Sequence, residues 1–212
     1  MKKIIIITLI ILNLFVFIPT IAQSKKLILN EKTIVIDPGH GGVDVGTSFG
    51  DFYEKDIILS ISLKLKKELE KFGANVILTR EGDYDLSTPN AYFRKKSDFD
   101  NRIKIINNIK PTLFISIHQN YYKISKYNGA QVFYKGNEDL AKYIQKNKNP
   151  ERKIKKISNT LYMYNKIKSD GLLIECGFLS NSKDRENLKK YTYQQELSKK
   201  IVETIKDYYS NK

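Results

Sequence analysis

Four titratable side chains in the sequence have the types needed to bind and use a metal ion: His40, Glu54, His118 and Glu175. Two imidazoles and one carboxylate suffice as ligands for a catalytic Zn²⁺, which keeps a fourth position for water. A second glutamate that does not bind the metal can take a proton from that water and return it to a leaving amine. With His40, Glu54 and His118 as ligands and Glu175 as the base, these residues predict a metal-dependent hydrolase.

Each of the four residues also has an ordinary structural explanation. His40 could be a polar turn residue between glycines, and His118 a histidine at a strand end that bonds to the backbone. Glu54 could be the acidic residue that favours a helix N-terminus, and Glu175 could lie on the surface. The chain has only two histidines, and four coincidences are less expected than one shared site.

The sequence around these residues alternates between strand and helix patterns. It predicts strands at 33–36, 76–79, 113–117, 130–134 and 172–175, and helices at 54–72, 100–109, 138–145 and 193–208. Residues 39–50 form a glycine-rich loop, 81–97 are predicted as a loop, and 146–156 as a mobile surface loop. The alternation predicts an α/β fold with a single domain and a mainly parallel twisted sheet that has helices on both faces. His40 and His118 follow two of the strands and Glu175 closes a third, which predicts a metal site at the carboxyl ends of the strands.

The composition excludes several other kinds of site. A lone cysteine, Cys176, cannot form an intramolecular disulfide, and zinc fingers, iron–sulfur clusters and paired redox cysteines all need more thiolates. Strand alternation directs Cys176 away from Glu175, so we interpret it as a buried apolar residue and not as a nucleophile. The 212 residues carry a net charge of +14, but the lysines are scattered and lack interleaved aromatics. We therefore expect no nucleic-acid binding and at most a weak attraction to anionic polymer.

The first 22 residues have the pattern of an export signal. Lys2 and Lys3 precede an almost wholly apolar stretch, residues 4–21, and Ala22 is the expected last residue removed. The alternative is an uncleaved N-terminal membrane anchor, since 18 mostly apolar residues can just span a bilayer. Either way, the remaining chain is expected to work outside the cytoplasm, secreted or tethered to the outer face of the membrane through this segment only.

Four sequence motifs carry a family resemblance. They are residues 37–44 (DPGHGGVD), 54–56 (EKD), 116–120 (SIHQN) and 175–181 (ECGFLSN), supported by 78–80 and 102–107. In this order they resemble the zinc-dependent N-acetylmuramoyl-L-alanine amidases of bacterial cell walls, from about residue 33 to the final helix, so residues 30–212 are expected to be the catalytic domain.

The resemblance implies a set of roles. The enzyme would cut the amide between the lactyl group of N-acetylmuramic acid and L-alanine in peptidoglycan, with one Zn²⁺ per chain. His40, Glu54 and His118 would bind the zinc and Glu175 would be catalytic. Gly41 and Gly42 would let the glycan approach closely. Asp44 and Asn120 would orient ligands or substrate, although ordinary loop capping explains these two equally well.

Other features bear on the biological role. Gln119 stands where the family usually has a small residue, which predicts a narrower site. The segment between Asn120 and Gly171 is short and lacks the helix that occludes the site in some relatives, which predicts constitutive access or control by a regulatory protein partner. The small single-domain form resembles the sporulation enzymes that act on spore cortex, where muramic lactam forms for germination. The alternatives are a vegetative autolysin of the same activity, a different zinc peptidase, or a non-catalytic wall-binding domain.

Overall fold

The structure, a computed structural model, describes residues 27–211. Its strands are β1 (Thr33–Pro38), β2 (Ser48–Phe49), β3 (Phe52–Tyr53), β4 (Asn75–Leu78), β5 (Leu113–Asn120), β6 (Gln131–Lys135), β7 (Lys155–Lys156) and β8 (Gly171–Phe178). Its helices are α1 (Glu54–Glu70), α2 (Arg94–Ile109), α3 (Glu138–Lys148), α4 (Tyr162–Lys166), α5 (Ser182–Leu188) and α6 (Tyr191–Ser210). The predicted export signal or anchor at 1–22 lies outside the described residues. None of the helices in the described range is long and apolar enough to cross a membrane.

Six strands form one sheet in the order β4-β1-β5-β8-β6-β7, and β2 and β3 form a separate hairpin. Neighbouring strands from β4 to β8 are parallel, β6 is antiparallel to β8, and β7 is parallel to β6. Parallel neighbours require crossover connections, and helices supply them here. The predicted α/β fold with a mainly parallel sheet is confirmed.

Helices cover both faces of the sheet because the central strands are apolar on both sides. In β1, Ile34 and Ile36 contribute to one core and Val35 to the other, as the alternation of a strand requires. The first core packs against α1, α3, α5 and α6, and the second against α2 and α4. Helix α1 presents a continuous apolar stripe to the first core, which consists of Ile57, Ile58, Ile61, Leu65 and Leu69.

Two strands are longer than predicted, and this changes where the site residues lie. The structure extends β5 to Asn120 and β8 to Phe178, so His118 and Glu175 lie within strands and not after or at the end of them. The two residues are paired across β5 and β8, with a register shift only between His118 and Asn120. Cross-strand pairing therefore keeps these polar residues in the strands, whereas the hydrophobic pattern of the sequence predicts strands that end too early.

Two predicted loops are partly wrong. Helix α2 begins at Arg94, inside the predicted loop 81–97, because the polar side chains of this region bond one another: Arg94 pairs with Asp85, and Asp98 accepts a hydrogen bond from the backbone of Leu86. The predicted mobile loop 146–156 begins as the last turn of α3 and ends as β7, an edge strand that pairs with β6. The exposed lysines of β7 are typical of edge strands, and a hydrophobic pattern does not mark them.

Candidate metal centre

Glu54 lies at the first position of α1, and the backbone of two other segments holds its buried carboxylate. The amide of Thr47 donates to Oε2 at 2.8 Å, and the amide of Gln119 donates to Oε1 at 2.8 Å. Burial opposes the charged form, but the neighbouring His118 and His40 hold the pKa of Glu54 well below its ordinary value. The carboxylate is therefore charged and fixed in direction before any ligand binds.

The two histidines converge on Glu54 Oε1. His40 Nε2 lies 3.4 Å from this oxygen and His118 Nδ1 lies 3.1 Å from it, and the two rings meet edge to face at 5.0 Å between centroids. All three residues offer ligand atoms within 4.8 Å of one another. Zinc bonds of about 2.0–2.1 Å in a tetrahedron separate ligand atoms by about 3.3 Å. The two distances from the histidines to Glu54 match this separation, so the residues predicted as ligands are brought together and two of their three spacings fit zinc.

Asp44 contacts the far side of the His40 ring. Its Oδ1 lies 3.1 Å from His40 Nδ1, and its Oδ2 accepts a hydrogen bond from Lys95. Although burial opposes the imidazolium, Asp44 and Glu54 raise the pKa of His40 to about 9. A carboxylate on the second ring nitrogen is the usual arrangement for a metal-binding histidine, because it fixes the tautomer and the ring orientation. This contact leaves His40 Nε2 directed at Glu54.

Glu175 lies beside His118 on the adjacent strand, and its Oε2 is buried without a hydrogen-bond partner in the described part of the chain. Burial, with a smaller contribution from the Glu54 charge, raises the pKa of Glu175 to about 7, while the two histidines act in the opposite direction. A carboxyl group with a pKa near neutrality is well suited to accept and return a proton. Cys176, the next residue, is buried, and burial raises the pKa of its thiol far above the ordinary range.

Two buried arginines hold the loop that carries His40. Arg80 donates from Nε to the carbonyl of Pro38 at 3.1 Å and from Nη2 to that of Gly39 at 2.8 Å. Arg102 donates to the carbonyls of Pro38 at 2.7 Å and His40 at 2.6 Å. Its guanidinium also pairs with two buried carboxylates, Asp37 at 2.8 Å and Asp98 at 3.0 Å. Three consecutive carbonyls are thus fixed, which positions the first histidine.

Glycines allow the ligand side chains to approach the backbone closely. A Cβ at Gly39 would lie 2.3 Å from His118 Nε2, and one at Gly46 would lie 2.7 Å from Glu54 Oε2. Gly41 and Gly42 have positive φ angles, and their Cβ positions face the backbone of Tyr84 and Asp85. Packing against this neighbouring loop therefore accounts for Gly41 and Gly42 within the protein, and their contact with a glycan stays a prediction.

Two further predicted residues, Gln119 and Asn120, follow His118 on β5, and the backbone amide of Gln119 is one of the two that donate to Glu54. Asn120 is half-buried at the end of β5, where its carbonyl accepts a hydrogen bond from the amide of Leu179. The side chain of Gln119 is buried, and the narrower site expected from it stays a prediction.

Sequence reasoning assigned no role to Arg80, Arg102, Lys95, Gly39 or Gly46. The arginines stand in segments that support the family resemblance, but a pattern of side-chain types does not indicate bonds to backbone carbonyls. Lys95 is one of many lysines, and only the fold brings it to Asp44. The two glycines belong to a glycine-rich loop, where sequence alone does not separate turn formation from close packing.

Comparison with known proteins assigns the chain to a family. The family model described as N-acetylmuramoyl-L-alanine amidase matches residues 34–207. The germination-specific N-acetylmuramoyl-L-alanine amidase of Bacillus subtilis is 40% identical over 199 residues, which cover 88% of this chain and 84% of the relative. The probable cell wall amidase LytH of Staphylococcus saprophyticus is 33% identical over 191 residues, 86% of this chain and 60% of the relative.

A solved structure is similar over almost the same range. The CwlD amidase of Clostridioides difficile, determined in complex with the GerS lipoprotein, has a TM-score of 0.79 and 38% sequence identity. The match covers 85% of this chain and 100% of that one. The family resemblance predicted from the motifs is confirmed: the chain belongs to the N-acetylmuramoyl-L-alanine amidase family and is an enzyme of that family.

Proposed function

We propose that the protein is a zinc-dependent amidase that hydrolyses the bond between the lactyl group of N-acetylmuramic acid and L-alanine in peptidoglycan. One observation carries the proposal: His40 Nε2 and His118 Nδ1 converge on Glu54 Oε1, beside a buried Glu175 oxygen that has no hydrogen-bond partner in the described chain. A metal site and a free carboxylate side by side are the components that hydrolysis of an amide needs.

The donor set fits zinc, and His40, Glu54 and His118 would hold it. Two nitrogen ligands and one oxygen ligand are a common composition for catalytic zinc, and the short distances between the ligand atoms suit its tetrahedral geometry. When bound there, zinc would supply a Lewis acid for the amide carbonyl and would make water more acidic. Asp44 Oδ1 lies 3.1 Å from His40 Nδ1 but is not aligned for a hydrogen bond in this structure; a small rotation would let Asp44 keep His40 in the tautomer with Nε2 free.

Glu175 is proposed to carry the proton. Its carboxylate accepts a proton from the attacking water and then donates it to the nitrogen of the L-alanine leaving group, so that a neutral amine departs. The pKa near 7 supports both halves of this cycle, because a much weaker base would not accept the proton and a much stronger one would not release it. Glu54 cannot share this role, since its carboxylate is engaged by two backbone amides and both histidines.

The relatives support a role in the spore cortex. The Bacillus subtilis relative is named as germination-specific, and it aligns over most of both chains. We therefore propose that the substrate is cortex peptidoglycan and that the enzyme acts outside the cytoplasm. The Clostridioides difficile relative was solved with a lipoprotein, which supports control by a regulatory protein partner. The cell wall amidase LytH supports the alternative, a vegetative autolysin with the same chemistry.

Digestion of peptidoglycan tests this function. The purified full chain is incubated with cortex and with vegetative peptidoglycan, each with zinc or with a chelator, and the new chemical termini are identified. New L-alanine amino groups on intact sugar chains, lost with chelator, are the expected result. New termini inside the stem peptide would instead identify a peptidase, and a faster reaction on vegetative wall would favour the autolysin.

A further inference from the structure

A groove next to Glu175 is not used by the metal centre. It has a volume of about 330 Å³, and its lining includes Asn120, Gln131, Phe133, Arg152, Lys155 and Phe178. Gln131 is the direct neighbour of Glu175 across β6 and β8, and Asn120 lies two residues beyond His118 on β5. The groove therefore begins at the two strands that carry the reacting groups.

The groove is positively charged. Arg152 and Lys155 line it, and no aspartate or glutamate does. Arg152 is held by bonds from Nη1 to Gln131 Oε1 and from Nη2 to the carbonyl of Asn128, both at 3.1 Å, and its guanidinium stacks over Phe178 at 4.8 Å. These contacts orient the guanidinium and leave most of its five N–H donors for a ligand. Among residues 27–211, no carboxylate forms a direct ion pair with Arg152 or Lys155. The nearby Asp184 carboxylate feels the charge of Arg152, but its Oδ2 is bonded to the backbone amides of Gly129 and Phe178. Arg152 is half-buried and Lys155 is exposed.

The pocket on the other side of the histidines has the opposite character. It has a volume of about 130 Å³ and is lined by Phe99, Leu161, Tyr162 and Met163 together with both histidines. Its lysine, Lys95, is already paired with Asp44, and its arginine, Arg102, is buried and paired with Asp37 and Asp98. A substrate that spans the centre thus meets an apolar pocket on one side and, on the other, two cations that form no direct ion pair within the described chain.

The two halves of the proposed substrate differ in the same way. The N-acetylated sugar side of the amide carries no negative charge, whereas the stem peptide on the amine side carries carboxylates. We propose that the groove formed by Arg152 and Lys155 binds a carboxylate of the stem peptide, and so sets the direction in which the substrate lies across the centre. The inference rests on the proposed function, because it identifies the groove with the leaving-group side of the same reaction.

A peptide titration tests the groove without requiring catalysis. The full chain is titrated in NMR experiments with L-Ala-γ-D-Glu-L-Lys amide and with the same peptide carrying isoglutamine, which lacks one carboxylate. We expect the wild type to bind the glutamate peptide about threefold to fivefold more tightly. Lys155→Gln should remove most of this preference, and Arg152→Gln should also weaken the binding of the glutamate peptide.

Lys156→Gln is the matched control. Lys156 follows Lys155 in the same edge strand and does not line the groove, and its substitution by glutamine removes the same charge. It should leave the preference unchanged, and added salt should reduce the preference of the wild type. Equal binding of the two peptides by the wild type would overturn the proposal. It would also be overturned if Lys155→Gln and Lys156→Gln reduced the preference for the glutamate peptide equally. Cleavage of peptidoglycan by the same preparation tests the amidase activity separately. A protein that cleaves peptidoglycan but binds the two peptides equally would refute the role of the groove and leave the proposed function intact.

Discussion

Replacement of Arg102 by lysine keeps the positive charge but removes the fork that holds the His40 loop. The guanidinium bonds two carboxylates and two carbonyls from three nitrogen atoms. The carbonyl of Pro38 keeps a second donor, Arg80, but that of His40 has no other donor within residues 27–211. A lysine ammonium presents its donors at one point and cannot reach Asp98, Asp37 and the His40 carbonyl together.

The expected cost follows from the groups that lose a partner. A buried acceptor left without a donor costs about 1–3 kcal/mol, and Arg102→Lys deprives about two groups, the His40 carbonyl and one of the carboxylates. The free energy of unfolding should therefore fall by about 2–6 kcal/mol. Zinc affinity should fall by about 10-fold to 100-fold, as is usual when a residue that supports a metal ligand is changed.

Urea unfolding and competition with a zinc chelator measure the two effects. Arg94→Lys is the matched control, because Arg94 lies on the same helix, α2, and its pair with Asp85 is partly exposed and remote from the His40 carbonyl. It should change stability by less than about 1 kcal/mol and leave zinc affinity unchanged. If Arg102→Lys unfolds and binds zinc like the control, the buried arginine does not position the site and the reasoning is wrong.

Three further predictions follow from the same structure. Gly39→Ala places a Cβ against the ring of His118 and should lower zinc affinity at least tenfold by chelator competition. Gly50→Ala, whose Cβ meets open space, should lower stability because its φ is +56°, but should leave zinc affinity unchanged. Burial opposes the charge of Asp37, but Arg102 holds its pKa below the ordinary value of 3.8. The stabilising contribution of its charge is therefore present above about pH 4 and lost as the pH falls below that. Asp37→Asn should have a lower free energy of unfolding than the wild type at pH 7, measured in urea, but this free energy should change less with pH in acid. Cys176→Ala should keep wild-type turnover of peptidoglycan at a stability cost of about 1 kcal/mol, and a loss of turnover in folded, zinc-loaded protein would revive a role for the thiol.

Much of the fold can be predicted from the sequence because its central strands and long helices have strong local patterns. The stripe of α1 predicts the helix and its buried face, and the acidic residue at its start is Glu54 itself. The ends of β5 and β8 could not be predicted in this way, since His118 and Glu175 stay in strands only through pairing with each other's strand. The edge strand β7 could not be predicted for the same reason, because its exposed lysines are held in a strand by pairing with β6 and not by burial.

In the candidate site, too, some residues could be predicted from the sequence and others could not. The motifs contain the residues that meet at the centre, because their chemistry is carried by side-chain type. The residues that hold the centre in place act through the backbone, as Arg80 and Arg102 do, or through close packing, as Gly39 does. Such contacts depend on which loops the fold brings together, and no local pattern reports that.

Substitution of Glu175 by glutamine separates metal binding from catalysis. The variant keeps the size of the side chain and the three proposed ligands but cannot accept a proton. Zinc content and the release of L-alanine amino groups from peptidoglycan are measured on the same preparation, beside the wild type. We expect about one zinc per chain in both proteins and a rate at least about 100-fold lower in the variant. An unchanged rate would show that Glu175 is not the base, and a loss of zinc would show that it belongs to the metal site instead.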